Sequence, residues 1–261
     1  MFTSNPYADF SAAISPSIMQ TYLIVMMLLV VVGTIYDFLE KKSARYFFQN
    51  WRSSRQKGVD KVGGGTMLSI AAKTLLIDVA VSGEFCSLRR RIAHLLTMYG
   101  FLVYVISTVI MVFLYPTPEV PAPPILPQLW AIGATMICAG GYWFWFFIRV
   151  DVAAEGSSPF RVMQADIFVL SLLSSATFAL IWACLQAQAH PWKNIVFALH
   201  IVGTTVLFGS VPWSKFAHMF FKPAAAFEKR VSVEDGSRSN LPAPSDKPEV
   251  LGRAERQPRH Y

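Results

Sequence analysis

The sequence predicts an all-α membrane protein: a five-transmembrane-helix bundle, N-terminus outside and C-terminus cytoplasmic, plus one interfacial helix. Three observations predict it. Of 261 residues, 54% are hydrophobic and 15% charged, against about 25% charged in a typical soluble domain. The charges are segregated, leaving five nearly uncharged segments that reach spanning length, about 17 to 25 residues. Lysines and arginines cluster in alternate connections, which sets orientation. As buried helices of a soluble protein, five such segments would leave too little polar chain to cover them.

Residues 1–18 hold no lysine or arginine and read as an outer tail. The first span is placed at about 19–39. It lacks a preceding basic region, its apolar core is long and a basic flank follows, so it is a retained span and not a signal peptide. The connection 40–91 runs from Lys41 and Lys42 to Arg89, Arg90 and Arg91 and is cytoplasmic. Gly58 and the Gly63–Gly65 run break it. The stretch MLSIAAKTLLIDVAVSG that follows keeps an apolar stripe interrupted by Lys73 and Asp78, as expected of a helix lying at the interface.

The second span, about 92–115, leads into YPTPEVPAPPILPQ, with six prolines among fourteen residues. That run is either a stiff extended cover or a plain spacer. The third span, about 129–148, is followed by Arg149 and Arg161 on the inner side. The fourth lies at about 165–188 and the fifth at about 194–214, joined by an outer connection whose only cation is Lys193. Residues 19–222 thus form one membrane domain. Residues 223–261 form a polar, proline-containing cytoplasmic tail without the apolar content for its own core, disordered alone or docked on a partner.

The net charge of +7 follows from the orientation rule, and no Cys/His finger pattern accompanies it, so nucleic acid is not an expected partner. Cys86, Cys138 and Cys184 form no CxxC, which argues against an iron–sulfur or zinc site within the chain.

Chemistry rests on histidines. His200 and His218 lie eighteen residues apart in ALHIVGTTVLFGSVPWSKFAHMFF. On one continuous helix that is about five turns, placing both imidazoles on one face roughly 27 Å apart. His94 follows the arginine run at the cytoplasmic start of the second span, at the depth of His218. The two helices run in opposite directions, so these imidazoles can meet across a haem as axial ligands to its iron. Arg90, Arg91 and Lys215 stand where haem propionates would lie, although orientation alone also puts cations there. His200 is deeper and faces either a ligand or a neighbouring helix.

The stretch LHIVGTTVLFGSVPWSKFAH resembles the last helix of the membrane cytochrome b (gamma) subunit of respiratory nitrate reductases. The shared elements are His200, then Pro212-Trp213-Ser214-Lys215, then His218. QADIFVLSLL is similar to the start of that family's fourth helix, and RRIAHLLTMYGF to the start of its second, with His94 at the first ligand histidine. The resemblance covers roughly residues 19–225, and its sharp motif is the last helix. Two-haem members carry a second histidine ten residues after the first, where this chain has Tyr104. The resemblance therefore implies one haem b on His94 and His218. A second haem or a quinone contact is left for His200.

What the resemblance implies is a membrane anchor and electron-transfer subunit in a bacterial or archaeal plasma membrane. It would be a non-catalytic or quinone-reacting part of an oxidoreductase complex. Electrons would pass between the quinone pool in the bilayer and cytoplasmic iron–sulfur or flavin reductase subunits. The superfamily also includes sulfur-metabolism relatives, among them the membrane anchor of adenylylsulfate reductase, which the tail resembles. A haem-free structural anchor for such an enzyme is the rival expectation. A small transporter is disfavoured, since Asp37 and Asp166 are the only carboxylates in the spans and both stand at helix ends.

Overall fold

The computed structural model describes residues 2–40, 48–49, 51–52, 56, 62–83, 85, 87–149, 160, 162–163, 166–212 and 218–237, with the side chains of residues 38 and 218–222 outside that description. Among the described residues every regular element is helical. In chain order they are α1 (Pro6–Asp9), α2 (Pro16–Glu40), α3 (Gly64–Lys73), α4 (Leu88–Leu114), α5 (Ile125–Trp143), α6 (Ile167–Ala187), α7 (Lys193–Gly209) and α8 (His218–Glu234). Wider i→i+5 turns extend α3 over Thr74–Ala80 and α5 over Phe144–Ile148.

Four helices are long and apolar enough to cross a membrane: Pro16–Asp37, Leu88–Leu114, Ile125–Ile148 and Ile167–Ala187, with mean hydropathy 2.3, 2.1, 1.5 and 2.1. Their outward faces are apolar too. Ile24, Met27, Val32, Ile106, Ile132 and Phe147 are all exposed, as side chains are when hydrocarbon is the solvent. The chain is an integral membrane protein. Where the sequence predicts a fifth span, the structure has α7, a shorter apolar helix that stops at Gly209 after 17 residues instead of reaching 214.

Antiparallel neighbours are held by small residues, which let backbones approach when no hydrophobic effect drives helices together. On α5, a Cβ at Gly133 would lie 2.6 Å from the Tyr104 nitrogen, and one at Gly140 would lie 2.6 Å from the Ala93 oxygen. A Cβ at Gly203 of α7 would lie 2.9 Å from the Ser175 nitrogen of α6. α2 leans on both α4 and α7: Gln20 donates to the Val112 carbonyl and Tyr22 to that of Ile201. α4 and α7 meet across the middle through side chains such as Phe101 and Phe208, whose ring centroids are 6.5 Å apart.

Two expectations change. The first is the outer tail 1–18, which is built into the bundle. In NPYADF, Asn5 accepts from the Tyr7 N–H as an N-cap and Pro6 takes the first helical position, where its missing N–H costs nothing. Asn5 Nδ2 then donates to the carbonyls of Met111 at 3.2 Å and Tyr115 at 2.8 Å, fastening the N-terminal segment to the end of α4, where carbonyls run out of intrahelical partners. Asn5→Ala is expected to lower stability by about 1–3 kcal/mol, read as an earlier thermal melt in detergent.

The second is the single long helix carrying His200 and His218. α7 ends at Gly209, residues 210–212 turn, and a separate helix starts at His218. Pro212 explains the break: it lacks an N–H and disfavours helical geometry at the residue before it. Gly33 of α2 abuts this turn, its virtual Cβ 3.0 Å from Val211 Cβ. The five-turn ladder is therefore not one helix face. The predicted tail from 223 is also helical as far as Glu234, and residues beyond 237 lie outside the described part.

Candidate functional site

The best-defined polar site surrounds His94, nearly two turns into α4. Its backbone is set by the close approach of Gly140 to Ala93, and its half-buried ring lies 4.9 Å from that of Phe85. The polypeptide that turns back onto it leaves the i→i+5 stretch after α3. The Val81 N–H bonds to the Leu76 carbonyl, and that of Gly83 to the Ile77 carbonyl. Between them sits Ser82, 1% exposed and in the left-handed region at φ 49°. Its Oγ is 3.0 Å from His94 Nδ1.

Two further bonds fasten the same segment to α4. Tyr99 donates its hydroxyl to the Ala80 carbonyl at 2.7 Å, and Arg91 donates Nε to the Val81 carbonyl at 2.8 Å. Arg91, expected at a propionate, thus spends one donor on this clamp. Arg90 is half-buried in the first turn of α4. Lys215 lies outside the described residues. His218 opens α8, with its side chain outside the description.

α8 reaches the same clamp from the other side. Arg230 meets Asp78 in a two-pronged ion pair, Nε to Oδ2 at 2.7 Å and Nη2 to Oδ1 at 2.9 Å. The hydrogen bond to Asp78 raises the Arg230 pKa, with burial opposing and the carboxylate charge reinforcing it. α3 and its extension keep Leu68, Leu75, Leu76 and Ile77 exposed.

His200 occupies a second, different layer. It is 4% exposed, with Nδ1 3.0 Å from the Ser175 carbonyl, and Ser175 Oγ in turn lies 2.7 Å from Thr204 Oγ1. Its ring lies parallel to that of Trp182, 6.3 Å between centroids and 4° between planes. Tyr7 contacts both Trp182 and Trp130, and Trp130 stacks on Tyr104. A continuous aromatic layer therefore joins His200 to Tyr104. Within it the Tyr104 hydroxyl and the Trp130 and Trp182 indole nitrogens are buried with no hydrogen-bond partner among the described residues. Burial pushes the Tyr7 phenol up to about 12, so its hydroxyl keeps its proton at neutral pH.

Sequence reasoning reached His94 and His200 but missed Ser82, Asn5 and Tyr7. Asn-Pro at the start of a helix is a readable capping signal. A left-handed serine has no comparable signature.

Among the described residues no group of three or more His, Cys, Asp or Glu stands together as a metal site. No protein-family model matches this chain, and no solved structure does. Among curated proteins it is similar to citrate utilization protein B of Escherichia coli, 29% identical over 163 residues. The match covers 58% of this chain and 41% of that protein. The chain thus spans less than half the length of the curated relative it matches.

Proposed function

We propose that this chain is a membrane anchor and electron conduit, passing electrons between membrane quinone and a cytoplasmic reductase through one haem b held by His94 and His218. The observation that carries the reading is the fixing of His94. Its Nδ1 is engaged by a buried hydroxyl, so Nε2 is the nitrogen that would ligate a metal. Ligating histidines are characteristically held by their other ring nitrogen in this way. A haem b at this place would supply one-electron transfer. The protein's part is to hold the imidazole, keep the ring beside Phe85, and place Arg90 and Arg91 in the same first turns of α4.

What supports one haem over two is the aromatic layer around His200. Trp130 and Trp182 are 0% exposed, and they occupy the level at which a second macrocycle would sit. The buried Tyr104, Trp130 and Trp182 donors instead suit a ligand rich in carbonyl acceptors. A quinone head reaching this level, as the N-terminal segment gives way, is the contact we assign to His200's surroundings. The lysine and arginine distribution supports a cytoplasmic His94 end and an external N-terminus, and the family resemblance adds a bacterial or archaeal plasma membrane.

The soluble partner is an iron–sulfur or flavin reductase. Similarity to a citrate utilization protein sets a carboxylate-utilizing enzyme beside adenylylsulfate reductase and its relatives as the class to examine. The rival reading is a haem-free anchor, favoured by the closed side-chain layer around His200. A visible spectrum of the full chain, expressed with haem supplied, separates them. A low-spin b-type spectrum reducible by a quinol analogue is expected, and a colourless protein overturns the conduit.

A further inference from the structure

We propose that Ser82 is a positioning residue for His94, holding the ring and its Nδ1 proton so as to set the affinity and reduction potential of the haem bound there. The inference rests on the haem reading above and goes beyond it in assigning a residue outside the ligand set. Ser82 occupies a backbone conformation, φ 49°, that glycine adopts freely and other residues adopt at a cost. Gly83 stands next in the chain, so a turn designed only to stop a helix had the better residue within one position. A serine in the strained place is explained by what its side chain does.

That side chain is 1% exposed as part of its residue, and its Oγ lies 3.0 Å from His94 Nδ1 and 3.5 Å from the Val79 carbonyl. With its own hydrogen directed to Val79, the hydroxyl accepts from Nδ1–H. This fixes the tautomer with Nε2 unprotonated, the form a metal needs. The flanking carbonyls of Ala80 and Val81 are bonded by Tyr99 and Arg91. Both donors belong to the helix that carries His94, so Ser82 and the imidazole move as one piece. An imidazole that donates from Nδ1 is more basic at Nε2 and favours ferric iron.

The test compares the full-length wild type with Ser82→Gly and Ser82→Asn, each loaded with haem. Glycine relaxes the backbone but deletes the hydroxyl. Asparagine tolerates the left-handed region and restores an acceptor. We expect Ser82→Gly to keep or raise the thermal stability of the haem-free chain while releasing haem about ten- to a hundredfold faster. Its midpoint potential should move upward, and Ser82→Asn should return both values toward wild type. If Ser82→Gly keeps wild-type haem retention and potential, Ser82 is only a turn residue and the proposal fails with the haem reading intact. A wild-type chain that takes up no haem overturns both.

Discussion

His94→Ala is expected to abolish haem binding, leaving a folded, colourless protein. Deleting an axial imidazole would remove an iron ligand, and the nearby Tyr99 hydroxyl is already committed to the Ala80 carbonyl. His218→Ala is expected to do the same, or to leave a high-spin five-coordinate haem. His200→Ala discriminates. With its Nδ1 on the Ser175 carbonyl and its ring on Trp182, His200 is predicted to leave haem per protein unchanged while slowing quinol-dependent reduction. Pyridine haemochrome quantification of the three variants checks this. Halved haem in His200→Ala would overturn the one-haem assignment.

Gly133→Ala is expected to destabilise the protein by about 1–3 kcal/mol or more, although it adds one methyl group. The new Cβ would lie 2.6 Å from the Tyr104 nitrogen and 2.8 Å from the Gly100 oxygen. Both are backbone atoms of α4, so neither can swing aside, and α4 and α5 must separate. Because α4 carries His94, the haem spectrum should weaken together with the melting temperature. Gly209→Ala is the contrasting case. Nothing lies within 4 Å of its virtual Cβ, and alanine is the better helix former by up to about 1 kcal/mol. The same substitution should therefore lower the melt at 133 and hold or raise it at 209. Equal effects at the two sites would show that close backbone approach does not hold this bundle together.

Hydropathy and charge were enough to read the membrane class, the four long spans and the location of the shorter fifth helix to within a few residues. They work because a bilayer imposes its demand locally: each spanning segment must be apolar along its own length. The helix at Gly64–Lys73 was legible for the same reason, its apolar stripe being crossed by Lys73 and, beyond it, Asp78. His94 and His200 stood out since ionisable groups in such segments are rare.

Other features belong to the assembled bundle. Nothing near Asp78 in sequence announces Arg230, and the tail 1–18 looks free until Asn5 is seen on the carbonyls of Met111 and Tyr115. Ser82 acquires meaning only when a left-handed turn lays it against His94. The eighteen-residue spacing of His200 and His218 suggested one helix face, yet the chain turns at 210–212 with Gly33 packed against the bend. Periodicity assumes an unbroken helix, and Pro212 interrupts it. By itself the sequence determined which segments lie in the bilayer and which histidines are candidates for chemistry. Only the tertiary structure decided what holds each imidazole, because those partners are far apart along the chain and are brought together by how the helices meet.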